Sequence, residues 1–334
     1  MAAVEVLKIK ICKRTTGYRP QTKTAQGSGK TPCLEHRETR GTPVLFSVEK
    51  WATRLPRCRI VNHMAPPVNL YDHAYGNYES DVYREIRIET YGEDLGQTSW
   101  VDTNESKQIP SWLHLTPDSA VLEIGSGSGR YALQIAESVG CRITGLDVNG
   151  LGISNANQLS RALKLEKLAC FAECDVAQGL SFADGTFDAA FSNDAFCHIR
   201  NRQNLLAELF RVLRSAGRLL FSDALVIGGI ISHEEVATRS SIGYYAFSPA
   251  GENERLLSGA GFRVLQVMET SENAAGIAKR RHDARAKRRT ALVAAEGEAN
   301  FDGLQQFLSC VHTLTSGKRL KRFIYLAEKE KARP

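Results

Sequence analysis

A glycine-rich loop and a series of acidic residues are the parts of this sequence best suited to chemistry. The stretch VLEIGSGSGR, from Val121 to Arg130, sets three glycines at alternate positions behind a short apolar run typical of a buried strand. Glu123 stands near the end of that run, and Asp147 and Asp175 follow in the next two strand-like runs. Because parallel strands end at one edge of a sheet, we expect the three acids to face one ligand.

The ligand that this pattern predicts carries no phosphate. A dinucleotide-binding loop has the pattern GxGxxG, and Arg130 stands where its third glycine should be, while the phosphate loop GxxxxGK[ST] has no match here. A carboxylate at Glu123 would repel a phosphate but suits an ammonium group. Asp147 can accept hydrogen bonds from both hydroxyls of a ribose, and Asp175 can meet the exocyclic amine of an adenine. The expected ligand is an adenosine with a positive or zwitterionic tail.

Strand-like and helical runs alternate from Asn69 onward, which predicts an α/β fold. We expect a doubly wound, seven-stranded, mostly parallel sheet with helices on both faces. The domain itself is predicted to span residues 64–334, with helical insertions that cover the substrate. Its predicted parts are an N-terminal helical cap at 69–116, a cofactor-binding core at 117–270, a helical insertion at 271–318 and a last strand at 319–330.

Two further patterns lie on predicted helices. Tyr71, Tyr75 and Tyr78 are spaced i, i+4 and i+7, which predicts one face of a helix, and plain packing explains this spacing as well as stacking on a ligand does. The run KRRHDARAKRR, residues 279–289, falls within the longer insertion. We expect it to form a solvent-exposed helix face rather than a site for a polyanion.

The net charge of +6 is concentrated in the first 63 residues. Residues 1–63 hold 13 Lys and Arg against 4 Asp and Glu, whereas residues 64–334 hold 30 against 33. Because this basic leader lacks sustained periodicity, we expect it to be disordered, and Met64 is favoured as the biological start. A transit peptide for organelle targeting and a nucleic-acid-binding arm are the alternatives.

The spacing of the cysteines and the length of the apolar runs indicate the cellular compartment of the protein. The eight cysteines are scattered without a CxxC pair, and we expect them to be reduced thiols rather than a disulfide framework. A pairing of Cys170 with Cys174 on a metal is the less favoured interpretation. No apolar run reaches the roughly 18 to 20 residues that span a membrane. The chain is therefore expected to be cytoplasmic.

Five motifs in order resemble those of the class I S-adenosylmethionine-dependent methyltransferases: VLEIGSGSG, GLDV, ECDV, FDAAFSNDAFCHI and RVLRSAGRLLFSDAL. The similarity is to the small-molecule branch, methyltransferase type 11, with quinone, sarcosine and phosphoethanolamine methyltransferases. The resemblance implies S-adenosyl-L-methionine as cofactor and methyl transfer to a small molecule. It places at the cofactor Glu123, Gly125, Ser126, Gly127, Gly129, Asp147, Val148, Asp175, Val176 and Asn193.

The acceptor side is expected near the end of the fourth strand. His198, five residues after Asn193, is the candidate base because histidine titrates near neutrality, and a histidine bonded to the following loop is the structural alternative. Asp194 is a second candidate. Tyr71, Gln97 and Ser99 are expected at the cofactor, the last two on its methionine carboxylate. In-line displacement needs alignment and desolvation, and no metal.

Other functions remain open at this point. The residues after the fourth strand, Ser192 to Ala195, do not form the DPPY-like sequence of many enzymes that methylate nucleobases, so we expect no nucleic-acid acceptor. An NAD-type oxidoreductase and a catalytically silent cofactor-binding protein are the competing hypotheses. The pattern does not distinguish nitrogen, oxygen and carbon acceptors, nor does it predict an oligomeric state.

Overall fold

Apolar strands alternate with helices along the part of the chain that the computed structural model describes, residues 68–94 and 96–330. The predictions for the leader, residues 1–63, lie outside the described residues. The strands are β1 Ala120–Ile124, β2 Arg142–Asp147, β3 Ala169–Glu173, β4 Phe187–Ser192, β5 Leu213–Ile227, β6 Phe262–Glu269 and β7 Leu320–Lys329. The helices are α1 Tyr71–Gly76, α2 Asp81–Tyr91, α3 Thr103–Trp112, α4 Arg130–Val139, α5 Gly150–Ala162, α6 Arg202–Val212, α7 His233–Arg239, α8 Glu252–Gly259, α9 Ser271–Ala286, α10 Arg289–Glu296 and α11 Glu298–Ser316.

The strands form one sheet in the order β3-β2-β1-β4-β5-β7-β6. Strands β1 to β5 pair in parallel, and β7 runs antiparallel to both β5 and β6. The predicted fold class, a doubly wound and mostly parallel seven-stranded sheet, is confirmed. Strand order reverses between β1 and β4, so the loops after these two strands flank the crevice in which such folds bind ligands.

Alternation along the strands fills a core on each face of the sheet. Val121 of β1 belongs to the cluster on one face, together with Phe191 of β4. Its neighbour Leu122 belongs to the cluster on the other face, together with Phe221 of β5. Successive strand residues point to opposite faces, so a parallel strand covered on both sides is apolar nearly throughout. This explains why β1 reads as a continuous apolar run interrupted only by Glu123.

The N-terminal tyrosines do not share one helix. Helix α1 ends at Gly76, so Tyr71 and Tyr75 are helical whereas Tyr78 lies beyond its end. The rings of Tyr71 and Tyr75 stack with centroids 6.2 Å apart. The hydroxyl of Tyr78 instead accepts a hydrogen bond of 2.6 Å from Nε of Arg130. The prediction of a single tyrosine face is therefore wrong for Tyr78, because the helix stops before it.

The longer insertion consists of α9, α10 and α11. The prediction of a solvent-exposed basic face on α9 is wrong for two of its arginines, because Arg281 and Arg285 are buried. Arg285 forms an ion pair with Glu296 of α10. Lys279 is exposed and pairs with Asp283 one turn along the helix. Charge pattern alone does not show which side of such a helix meets the remainder of the domain.

The described residues contain neither a membrane-spanning helix nor a cluster of metal-ligating side chains. No helix within residues 68–94 and 96–330 has the length and apolar character needed to cross a membrane. Within those ranges there is also no group of three or more His, Cys, Asp or Glu side chains arranged to hold a metal ion. Cys170 is exposed on β3 and Cys174 lies just beyond that strand.

A buried ionic cluster joins the last strand to the N-terminal cap. Arg322 of β7 is fully buried, and its Nη1 donates to both carboxylate oxygens of Glu105 on α3, at 2.9 and 2.8 Å. Its Nε donates to Oδ1 of Asp194 at 2.9 Å. The other oxygen of Asp194 accepts a hydrogen bond of 2.8 Å from the backbone N–H of Trp100. The cluster thereby fixes the loop after β4 and the segment before α3.

Replacement of Arg322 tests this cluster. Arg322→Met would leave two buried carboxylates without a counter-charge, and we expect the free energy of unfolding to fall by about 3–5 kcal/mol. The matched control is Arg263→Met, which removes an exposed partner of Glu328 and should cost less than about 1 kcal/mol. Urea denaturation of both variants measures the difference. Equal stability of the two variants would contradict the structural role.

Candidate functional site

A cavity of about 560 Å³ opens at the carboxyl ends of the parallel strands. It brings together ten residues that were predicted from sequence: Tyr71, Ser99, Gly125, Asp147, Val148, Asp175, Val176, Asn193, Asp194 and His198. A neighbouring cavity of about 40 Å³ lies over the glycine loop and is lined by Gln97, Ser126 and Gly127. Of the remaining predicted residues, Glu123 lies beneath the loop on β1 and Gly129 precedes α4. The predicted residues thus converge on one edge of the sheet.

The glycines of the loop are required by backbone geometry and by space. Gly125 and Gly127 have φ of 74° and 51°, which L side chains rarely adopt. A Cβ at Gly125 would lie 2.3 Å from Cβ of Ala195, and one at Gly127 would lie 2.5 Å from the hydroxyl of Tyr75. The loop is held against β2 because the N–H groups of Gly125 and Ser126 both donate to the carbonyl of Leu146. Glycine is therefore required at both positions for the loop to pack against Ala195 and Tyr75.

Three buried polar atoms at this end of the site have no hydrogen-bond partner within the described residues: Oε2 of Glu123, Oγ of Ser126 and Nδ2 of Asn193. Burial, reinforced by the charge of Asp147, holds the pKa of Glu123 well above its usual range. A buried polar group without a partner is costly, so its presence in a cavity wall marks a place where a ligand completes the bonding. An acceptor at Glu123 and a donor at Asn193 fit the zwitterionic tail expected from sequence.

Asp147 braces the glycine loop and also faces the cavity. Its Oδ2 accepts from the N–H of Gly127 and its Oδ1 from the N–H of Asn149, both at 2.8 Å. Helix α5 is capped by Asn149 and not by Asp147. Each carboxylate oxygen can accept more than one hydrogen bond, so the group can still bind a ribose. Asp147 is therefore not the cap of the helix that follows it.

Asp175 differs, because it does cap the turn that follows it. Its Oδ1 accepts from the N–H of Ala177 at 3.0 Å, at the start of the short 3₁₀ turn Val176–Gln178. The side chain is exposed and lines the cavity. Its prediction as an adenine contact stays a prediction, and the capping bond explains its position equally well.

Ser99 lies in the segment between α2 and α3 that closes over the loop. Its hydroxyl is within 3.0 Å of the hydroxyl of Tyr131 on α4. Gln97 is buried in the same segment, and its Nε2 donates to the carbonyl of Glu93 at 3.3 Å. Both residues are therefore tied to the protein, and their predicted role at a carboxylate stays a prediction.

Tyr71 and His198 form the opposite wall of the large cavity. Nδ1 of His198 is 3.0 Å from the carbonyl oxygen of Tyr244, and a carbonyl can only accept, so Nδ1 carries the proton. Nε2 lies 2.8 Å from the hydroxyl of Tyr71. Burial lowers the pKa of His198 to about 4, so the ring is neutral and Nε2 accepts from Tyr71. This lowered pKa departs from the expectation that the histidine titrates near neutrality, although the ring is half-buried and lines the cavity.

Asp194 is placed as a structural group. Its Oδ1 accepts from Ser222 and Arg322, and its Oδ2 accepts from the backbone of Trp100. The residue is buried and adopts a left-handed backbone conformation with φ of 57°. These contacts fit a role in positioning the loop after β4 better than the predicted role in proton transfer.

Sequence reasoning missed a buried cation behind the acceptor wall. Arg239 of α7 is 1% exposed, and its guanidinium lies 4.4 Å from the ring centroid of Tyr245. The other face of the cluster is formed by His198, whose ring centroid is 4.4 Å from that of Tyr245. The charge of Arg239 and the ring of His198 thus lie on the two sides of Tyr245. An arginine in a polar helix sequence such as HEEVATR carries no signal that it is buried.

Residues 122–221 match the family model of a methyltransferase domain. A curated relative, the glycine/sarcosine/dimethylglycine N-methyltransferase of Actinopolyspora halophila, is 26% identical over 229 residues, which are 61% of this chain and 38% of that protein. The O-methyltransferase resE of Aspergillus sclerotiorum is 29% identical over 216 residues, 63% of this chain and 80% of that protein. The chain thus spans well under half the length of the first relative and most of the second.

A solved structure shares the fold. Phosphoethanolamine N-methyltransferase 2 of Haemonchus contortus, in complex with S-adenosyl-L-methionine, has a TM-score of 0.64 at 19% identity. The match covers 78% of this chain and 60% of that chain. At this level of identity the similarity concerns the fold alone.

Substitution in the glycine loop tests its contact with a ligand. Gly127→Ala would add a methyl group against Tyr75, and overpacking of this kind costs about 1–3 kcal/mol, so binding of S-adenosylhomocysteine should weaken about tenfold or more. Gly251→Ala is the matched control, since Gly251 also has positive φ, 83°, but no heavy atom within 4 Å of an added Cβ. Calorimetric titration of both variants decides, and equal affinities would refute a close approach at Gly127.

Proposed function

We propose that this chain, a class I S-adenosylmethionine-dependent methyltransferase, methylates an oxygen atom of a small and largely apolar acceptor. The family model and the named relatives confirm the predicted methyltransferase domain, its enzymatic character and S-adenosyl-L-methionine as cofactor. They give no support to the alternative of an NAD-type oxidoreductase. The observation that carries the choice of acceptor is the neutral Tyr71–His198 pair with a buried cation behind it.

The donor end of the site fits the cofactor through the residues described above. Glu123, Ser126 and Asn193 offer unpartnered polar atoms to the methionine end. Asp147 offers carboxylate oxygens to the ribose, and Val148 is 65% exposed beside it, as expected of an apolar residue that a base would cover. When bound, S-adenosylmethionine supplies a methyl group already activated by a positively charged sulfur. The work left to the chain is to orient the acceptor and to exclude water.

The wall formed by Tyr71 and His198 is a weak base, and this restricts the chemical class of the molecule that can be methylated. The hydroxyl of Tyr71 donates to Nε2 of His198, so a lone pair of Tyr71 can accept from an acceptor hydroxyl. A proton passed along this path would arrive at an imidazole of pKa about 4. Such a weak base suits an acceptor that ionises readily, such as a phenol, an enol or a carboxylic acid.

Charge around the acceptor wall favours the same class. Arg200 lies 4.1 Å from the ring centroid of Tyr244 at the cavity rim, and Arg239 lies behind Tyr245. Asp194, which also lines the cavity, is paired with Arg322. Two cations at this wall disfavour a protonated amine there and favour a neutral or anionic oxygen. Leu70, Ile199 and Ile242 add apolar side chains to the lining.

Several expectations from sequence belong to this proposal. They are a cytoplasmic location, the absence of a nucleic-acid acceptor, and the roles of individual residues at the cofactor. The supporting observation for the second is that the residues after β4, Asn193 and Asp194, serve the loop and the cofactor end instead of a nucleobase-binding motif.

Labelling identifies activity and acceptor together. Incubation with methyl-labelled cofactor and a metabolite extract should place the label on the oxygen of a phenol, enol or carboxylate, as read by mass spectrometry. Asp147→Ala should abolish labelling together with the rise in melting temperature that the cofactor produces. Label on nitrogen would refute the acceptor class, whereas cofactor binding without any labelled product would favour the catalytically silent alternative.

Histidine titration tests the acceptor wall without any acceptor. In NMR spectra, the His198 signal is the imidazole signal that His198→Gln removes. We expect it to keep the chemical shift of a neutral ring from pH 8 down to pH 5, since burial lowers its pKa to about 4 and charging occurs only as the pH falls through that value. A midpoint near 6.5 for His198 would contradict the neutral pair.

A further inference from the structure

Most buried arginines in the described part of the chain are paired with acids. Six arginines in residues 68–94 and 96–330 are buried: Arg87, Arg202, Arg239, Arg281, Arg285 and Arg322. Four of them bond to a carboxylate, in the pairs Arg87–Asp94, Arg202–Asp223, Arg285–Glu296 and Arg322 with Asp194 and Glu105. Arg239 and Arg281 have no carboxylate within 4.0 Å among the described residues.

The two exceptions differ in how their charge is compensated. Arg239 lies over the rings of Trp100, Tyr245 and Phe307, and such contacts stabilise a desolvated guanidinium. Arg281 has no ring contact in the described part of the chain, and its Nη1 makes one long hydrogen bond, 3.4 Å, to the carbonyl of Thr98. An unpaired buried cation costs several kcal/mol. Arg281 therefore has no anionic partner among the described residues.

Arg281 lies behind the segment that closes over the glycine loop. It lines a small cavity of about 20 Å³ together with Gly96, Gln97 and Thr98. The same three residues line the cavity over Ser126 and Gly127. The segment formed by residues 96–98 therefore borders both the cavity of Arg281 and the site expected for the methionine end of the cofactor.

The opposite charge at this end is also unpaired. Glu123 is buried with a free carboxylate oxygen, and it has no ion-pair partner among the described residues. Tyr75, whose hydroxyl contacts Gly127, is close enough for its pKa to be affected by both Glu123 and Arg281. One acid and one base without partners therefore lie on two sides of the same small region. A zwitterion, with one ammonium and one carboxylate, is the ligand that would satisfy both.

We propose that Arg281 is the counter-charge for the carboxylate of the cofactor's methionine moiety, with Glu123 serving its ammonium group. The inference rests on the proposed cofactor site. Gln97 and Ser99 are neutral and already tied to Glu93 and Tyr131, so they can position the carboxylate but do not neutralise it. Arg281 belongs to α9, in the insertion between β6 and β7. This insertion therefore contributes to cofactor binding as well as packing over the domain.

Two ligands that differ only in the carboxylate isolate this contact. S-adenosylhomocysteine carries the carboxylate, and its decarboxylated analogue keeps the ammonium group and the adenosine. The wild-type chain should bind the first about 10- to 100-fold more tightly, because the buried charge of Arg281 is little screened by solvent. Arg281→Met should lose this preference with little change in its affinity for the decarboxylated analogue. Dissociation constants are measured by calorimetry, so no acceptor is needed.

Controls separate binding from folding. Lys279→Met, on the exposed side of α9, should keep the wild-type preference, and Arg281→Lys should keep most of it because the charge remains. Arg281→Met should melt, without ligand, at or above the wild-type temperature, because an unpaired buried charge has been removed. Equal weakening for both ligands, or an unchanged preference, overturns the proposal. Failure of the wild-type chain to bind either ligand would instead refute the cofactor site itself.

Discussion

The buried guanidinium of Arg322 is the interaction on which the geometry of the site depends. Its strand, β7, lies beside β5, and the side chain reaches past Ser222 to Asp194 after β4 and to Glu105 on α3. Asp194 in turn holds the backbone of Trp100. Because a desolvated cation is stable only when its partners stay in place, the cluster ties the closing segment of the cap to the edge of the sheet. The last strand thus determines where the N-terminal cap rests over the glycine loop.

Two buried charged residues near the glycine loop lie outside any ion pair of the described residues. Elsewhere in the domain, buried arginines pair with acids, as in Arg202–Asp223 and Arg285–Glu296. At the site, Glu123 and Arg281 are left incomplete within the described residues. Buried charges without partners are destabilising, and proteins keep them mainly at functional sites, where a ligand can pair with them.

Hydrogen bonds and a buried cation act together along the acceptor wall. Tyr71 donates to Nε2 of His198, and Nδ1 of His198 donates to the carbonyl of Tyr244. The guanidinium of Arg239 lies over the ring of Tyr245, which also packs against His198. The wall therefore presents a positive field and a weak base, which matches an acidic oxygen better than an ammonium group.

The sequence by itself determined the sheet, the loop and the donor end of the site. Alternation of apolar strands and helices, and glycines and acids spaced along successive strand ends, are local signals, so Gly125, Gly127, Asp147 and Asn193 could be placed together before any coordinates. Tertiary structure alone decided the rest. In the folded chain the pKa of His198 is lowered, so that its ring accepts a hydrogen bond as a neutral group. Asp194 is paired with Arg322, and Arg281 is buried although it lies in a run of basic residues. The reason is physical: the charge state and partners of a side chain depend on desolvation and on groups distant in sequence, which no local spacing records.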